Sequence, residues 1–316
     1  MKKDFINRET IEGRLYHHDL ALKTVKNEQS ANFGKEFISG TIDIATDEEG
    51  LNVIPVHFTY VTETTKNGKT NSTFTNLKNI INGAKTWETD GKDYALKLRV
   101  NTAIGLNDFY DAEGNLVSLK RNEGGFVSTT KDLNEKEDQR NTFDCDIVIT
   151  STTRVEADPE RGIEKDFVRI KGGIFDFKNS LLPVEFVCKR EDGMGYFESL
   201  DASTSEPIFT EVKGNIISSL IKKEIVEESA FGSASVKTVS RTVREWVVDW
   251  ARPVEYDFGE ADTITEEELK KVMADRQVYL AELKKNHDDY IASRNKETNK
   301  SSVENVMNVP KGDFDF

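Results

Sequence analysis

The chain has 316 residues, 36 % hydrophobic and 32 % charged, with 57 acidic against 43 basic residues and a formal net charge of −14. That length suits two domains of ordinary size. No run of about eighteen apolar residues marks a membrane span, and the lysines after Met1 lead into no apolar stretch of a secretory signal.

Two cysteines, Cys145 and Cys188, lie in strand-like stretches and read as small buried hydrophobes. They argue against a disulfide framework and for a reducing, cytoplasmic setting. The acid excess counts only weakly against nucleic acid, because a ligand meets the local field rather than the total charge.

Residues 1–12 read as a loosely held lead, followed by a strand from Arg14. Phe37, Ile38, Ile42 and Ile44 then mark a strand containing Gly40, and after an acidic turn Ile54, Pro55, Val56 and Phe58 mark the next. Alternation of this kind belongs to a half-buried strand, and a glycine within it to a bend or bulge. Asn67 and Gly68 give a hairpin signal, with 70–74 as the returning strand. A short helix is expected over 76–83, then strands over 94–104 and 115–119 joined by a turn at 111–114. A polar loop fills 131–140, and a further strand spans 143–151.

Residues 157–162 carry the best boundary signal. Beyond it, Val168, Ile170, Gly172 and Ile174, then Leu182, Pro183, Val184 and Phe186, echo the first strand pair. A turn at 190–193, a strand at 194–200 and strands over 207–217 and 236–248 complete a second unit. Two related small β-barrels are therefore expected, over 1–154 and 155–260, the first with inserted loops.

From Ile264 the period becomes helical. Thr265 and Glu268 form a capping box, flanked by Ile264 and Leu269. Leu269, Val272, Met273, Tyr279, Leu280, Leu283, Tyr290 and Ile291 continue an amphipathic stripe, so a helix is expected over 261–292. A flexible linker and acidic tail over 293–316 end in Asp313, Phe314, Asp315 and Phe316.

No spaced metal motif joins His17, His18, His57 and His287, and neither a Gly-Lys-Ser/Thr phosphate loop nor a Gly-x-Ser-x-Gly elbow occurs. Neither catalysis nor a cofactor is expected. Small barrels can instead bind unpaired strands by stacking bases on rings and running phosphates past cations. The candidate residues in the first unit are Phe58, Tyr60, Lys66, Lys69, Phe74, Lys97, Arg99, Phe109, Tyr110, Lys120 and Arg121. In the second they are Arg169, Lys171, Lys178, Phe186, Lys189, Arg190, Tyr196 and Phe197. The plain alternative for any single ring is a place in the core. At the C-terminus, a phenylalanine with its own carboxylate suits an apolar pocket ringed by bases on a partner.

The strand of Phe37, Gly40, Ile42 and Ile44 and the terminal Asp313, Phe314, Asp315 and Phe316 resemble the single-stranded DNA-binding proteins of bacteria and their phages. The resemblance implies an OB-type fold for the β units and an acidic, phenylalanine-ended tail. With the two barrels and the helix read above, the expected fold is mainly β, two OB-like barrels followed by a helix and a disordered acidic tail. It implies single-stranded DNA as ligand, and replication or recombination proteins recruited by the four terminal residues. The two-barrel chain and the helix before the tail depart from the bacterial pattern of one barrel per chain. They point to a divergent phage type, acting in the host cytoplasm, with its oligomeric state open. The competing reading is a virion or assembly-associated β-protein; a further rival is a peptide- or saccharide-binding barrel.

Overall fold

The computed structural model describes residues 5–65, 67–227, 231, 235–254 and 264–307. They divide into two compact units. One comprises Met1–Leu106 and Lys120–Thr265; the other comprises Asn107–Leu119 and Glu266–Phe316.

The first unit is built on β1 (Asn7–His18), β2 (Ala21–Thr24), β3 (Glu36–Ala45), β4 (Val53–Thr62), β5 (Lys97–Tyr110) and β6 (Leu116–Thr129). It continues with β7 (Asn141–Val155), β8 (Phe167–Phe175), β9 (Leu181–Cys188), β10 (Ile208–Glu227) and β11 (Ser235–Ala251). Short helices α1 (Ser72–Ile81) and α2 (Trp87–Asp90) follow β4, and α3 (Glu191–Glu198) follows β9. The fold is mainly β with a C-terminal helix, α4 (Glu266–Met307).

The strand pairings close on themselves twice. β1 pairs with β3, β3 with β4, β4 in parallel with β6, β6 with β5, and β5 with β1. β7 pairs with β8, β8 with β9, β9 in parallel with β11, β11 with β10, and β10 with β7. The two circuits share one connectivity, with a helix between the third and fourth strand of each. They are joined by their opening strands. The first half of β1, Asn7 to Ile11, runs antiparallel to Cys145 through Asn141 of β7.

The expected echo of 37–58 in 168–186 is visible in the register. Ile44 faces Ile54 and Asp43 faces Pro55; Ile174 faces Leu182 and Gly173 faces Pro183. The prolines therefore occupy one position in the two circuits. The glycines do not: Gly40 faces Phe58, and the residue facing Phe186 is Ile170. Neither proline opens its strand. Pro55 precedes the part of β4 that pairs with β6, and its carbonyl accepts from the Asn122 side chain at 2.8 Å.

The core follows the alternation. Ile38, Ile42, Ile44, Ile54 and Val56 are fully buried in the first circuit, and Val168, Ile170, Ile174, Phe186 and Cys188 in the second. Fully burying one such side chain contributes about 1.5–3 kcal/mol.

Four local expectations are corrected. The N-terminal lead is ordered from Asn7 as β1, where Glu9 and Glu12 are buried beside Ile11 and Leu15 and so break the alternation. The returning strand over 70–74 is the start of α1. Asn71 caps it by accepting from the Thr73 amide at 3.1 Å, and Phe74, Leu77 and Ile80 lie inward at helical spacing. Residues 194–200 lie mainly in α3 rather than a strand. Glu191 and Asp192 favour its N-terminus, and Met194 and Phe197 are buried on one face. Finally, α4 continues past 292 to Met307.

In the second unit, the tip of the β5–β6 hairpin lies against α4. Arg276 donates to both Asp108 oxygens at 3.0 and 3.2 Å, with both side chains largely withdrawn from water. Ser118 donates to the same carboxylate, and Lys284 lies 5.3 Å from the Tyr110 ring.

Candidate nucleic-acid interface

The ring candidates separate by burial. Phe58, Phe74 and Phe197 are interior, at 3, 2 and 1 % exposure, and Phe186 is fully buried. None of these four offers a face to a base, because each lies on the apolar phase of its element. Gly124 explains the depth of Phe58: a Cβ there would come within 2.3 Å of the ring. Tyr196 is half-buried, donates its hydroxyl to the Arg252 carbonyl at 3.2 Å and packs edge-on against Phe197. Phe109 and Tyr110 belong to the second unit.

Tyr60 is exposed and lies against Phe37, with centroids 4.7 Å apart and the ring planes tilted by 38°. The ladder explains both positions. Phe37 is out of phase with Ile38, Ile42 and Ile44, so it points away from the core. In β4 the pairing shifts between Ile38 and Gly40: Gly40 faces Phe58, yet Ile38 faces Val61. Thr59 and Tyr60 thus oppose Ser39 alone. This bulge moves Tyr60 off the core phase that Ile54, Val56 and Phe58 set.

Five of the predicted cations are already paired with carboxylates. Arg99 donates to Glu12 at 2.6 Å, Arg121 to Glu123 at 2.6 Å and Arg190 to Asp192 at 2.6 Å, and Arg169 Nε lies 2.9 Å from a Glu185 oxygen as an ion pair without hydrogen-bond geometry. Lys189 contacts Glu245. The pairs exposed on both sides are worth only about 0–1 kcal/mol, so a phosphate can exchange with the carboxylate, whereas Glu12 is buried and would be left uncompensated without Arg99. Lys120 is placed otherwise. Its ammonium lies 4.0 Å from the Trp246 ring and 5.3 Å from Phe186 and donates to the Glu185 carbonyl; burial lowers its pKa to about 8. It is a packing group, not a phosphate contact. Lys97 donates to the Lys131 carbonyl at 3.0 Å, and Lys178 lies 5.4 Å from the exposed Phe177 ring. Lys69 and Lys171 are exposed, with no ion pair among the described residues. Lys66, Asp313, Phe314, Asp315 and Phe316 lie outside the described residues.

The structure therefore gathers only part of the predicted set, and adds to it. Lys23 on edge strand β2 faces Phe37, which faces Thr62 across β3 and β4. Directly paired residues share a face of the sheet, so Lys23, Phe37 and Thr62 lie together on the outer side. The preceding loop supplies exposed Phe33, Lys26 and Lys35, and the loop after β4 supplies Lys69. The phase of Phe37 against its neighbours is a sequence signal that finds it; nothing in the sequence marks Phe33. Farther along the same strands, Thr41 Oγ1 and His57 Nδ1 lie 3.0 Å apart. Burial, and then Arg121, lower the His57 pKa and disfavour the charged imidazole. Among the described residues no cluster of three or more His, Cys, Asp or Glu is placed to hold a metal ion, and no helix is long and apolar enough to cross a membrane.

A protein-family model described as YorF matches residues 7–286, which takes in both strand circuits and the first half of α4. The chain belongs to the YorF family. No curated protein matches it. Among solved structures, it is similar to a deletion mutant of the single-stranded DNA-binding protein from Thermus aquaticus, at 11 % identity and a TM-score of 0.46. That match covers 81 % of this chain and 98 % of that one. It is also similar to a chain of a Replication Protein A heterotrimer bound to single-stranded DNA, at 11 % identity and a TM-score of 0.21, covering 76 % of this chain and 49 % of that one.

Proposed function

We propose that this member of the YorF family binds single-stranded DNA without catalysis and largely without sequence preference, each strand circuit acting as an OB-like barrel. The observation that carries the reading is the Phe37–Tyr60 ring pair on the outer face of β3 and β4, next to Lys23. In OB folds the second and third barrel strands form the ligand face. β3 and β4 hold those places in the first circuit, counting β1 as its first strand.

A base stacked on Tyr60 or Phe37 gains about 1–3 kcal/mol, and the neighbouring lysines neutralise its phosphates. Coating would keep a template extended during replication or recombination. The terminal Asp313 to Phe316 would recruit partner proteins, in a phage-encoded protein working in the host cytoplasm.

Titration of a fluorescent oligo-dT at low and high salt tests this. Binding is expected to weaken with salt, and Tyr60→Ala to weaken it about 5–150-fold, the equivalent of one stacked base. Absence of binding at low salt overturns the proposal. Deleting 311–316 is expected to leave DNA affinity equal or higher while removing partner capture.

A further inference from the structure

A second bulge exposes a second ring. In the β10–β11 ladder the register shifts between Lys213 and Gly214: Gly214 faces Val248, but Lys213 faces Trp250. Asp249 is the extra residue. Trp246 and Val248 point into the core at 2 and 1 % exposure, and without the bulge Trp250 would follow them. It is instead 44 % exposed. The same device turns Tyr60 outward in the first circuit, and bulges are the usual means by which a sheet re-aims one side chain near a site.

Trp250 borders a cleft of about 310 Å³ between α3 and the end of β11. The cleft has an apolar floor of Cys188, Phe197 and Val248, and Tyr196 is its second ring. Gly193 lets α3 approach that floor, since a Cβ there would come within 2.6 Å of Cys188 Sγ. Lys213 lies 5.1 Å from the Trp250 ring outside the cleft, and the lining holds one cation, Arg190, which donates to Asp192 at 2.6 Å, and two carboxylates, Asp192 and Asp249, so an entering phosphate must displace Asp192 from Arg190. The volume is at the lower end of small-ligand sites, which run from about 300 Å³. Exposed indole, phenol and nearby cations are the chemistry that receives a flat aromatic ring attached to an anion.

We propose that this cleft is a base-stacking subsite for single-stranded DNA on the second circuit, taking one nucleobase against Trp250 while its phosphate meets Lys213 or Arg190. The inference rests on the DNA-binding reading above, and it places the contact outside the sheet face proposed there. The carboxylates that hold Lys213, Glu211 at 2.8 Å and Asp144 at 3.3 Å, fix the ammonium beside the ring.

The test compares the full chain with Trp250→Ala, Trp250→Phe and Tyr60→Ala. An oligo-dT of about 30 nucleotides is used, long enough to span two barrels, together with the same oligonucleotide carrying 5-iodouracil for photocrosslinking. Trp250→Ala is expected to weaken binding about 5–150-fold and Trp250→Phe to retain most of it. Crosslinks are expected on the peptides carrying Trp250 or Tyr196. If Trp250→Ala binds like the parent, or no crosslink falls in the cleft, while Tyr60→Ala still weakens binding, the subsite is wrong and the sheet-face reading stands. If the parent chain binds no oligonucleotide, both fall. Circular dichroism of Trp250→Ala separates loss of the ring from loss of the fold.

Discussion

Glu9 shows how much a single side chain can say about pH. It is buried, and its two oxygens accept from Thr102 Oγ1 at 2.7 Å and Trp246 Nε1 at 2.8 Å. Burial outweighs both hydrogen bonds and raises its pKa to about 7. The folded chain therefore holds a proton that the unfolded chain has released, and stability falls as pH rises from about 4.5 to about 7, by on the order of 3 kcal/mol. Asp146, raised to about 6 by burial, acts in the same direction. Urea unfolding near pH 5 and pH 8 is expected to show a smaller loss in Glu9→Gln than in the parent. Equal losses would remove Glu9 as the cause. Two glycines matter at this scale for different reasons. Gly40 has φ +134° and stands against Leu20 Cα, whereas Gly172 has ordinary φ but leaves only 2.2 Å between a would-be Cβ and the Val148 carbonyl. Gly172→Ala is expected to destabilise the second circuit, with the thermal midpoint as the readout, because the obstacle is backbone and cannot swing aside.

Among the elements, the legible ones carried uninterrupted patterns. β3, β4, β8 and β9 each carry a run of alternating apolar residues, such as Ile42 and Ile44, Ile54, Val56 and Phe58, Val168 and Ile170, and Leu182, Val184 and Phe186, and the long stripe from Leu269 announces α4. β1 was hidden because Glu9 and Glu12 are buried charges whose partners, Trp246, Thr102 and Arg99, are remote in sequence. α3 read as a strand because Met194, Tyr196 and Glu198 mimic a two-residue period across glycines that disfavour helix. The candidate site was legible only in part for a related reason. Phe37 declares itself by its phase, but Tyr60 and Trp250 owe their exposure to bulges, which shift the phase through pairing with a distant strand. In the second unit, the Asp108–Arg276 pair fixes the hairpin tip on α4. Asp108→Ala leaves a buried guanidinium uncompensated, at a cost of about 3–5 kcal/mol. Hydrogen exchange is expected to rise in 107–119 and along α4; unchanged exchange would show that the pair contributes nothing to the docking.

For the molecule as a whole, the charge of −14 sets a condition on any anionic ligand: binding must come from a local field stronger than the general repulsion. Lys23, Lys26, Lys35 and Lys69 are the cations nearest the first ring pair in the strand and loop order. If each meets one phosphate, the logarithm of affinity falls with the logarithm of salt at a slope of about −3, and Lys69→Ala reduces that slope by about 0.7. A slope near zero would separate binding from these lysines. The shared edge between the opening strands bears on how the chain can be divided. Because Asn7 to Ile11 lie along Cys145 through Asn141, and Trp246 reaches back to Glu9, a cut at 154 leaves β7 without its partners β8 and β10 and strips Glu9 of a donor. Neither fragment is then a self-sufficient module, and complementation by mixing the halves becomes the expected route to a native product.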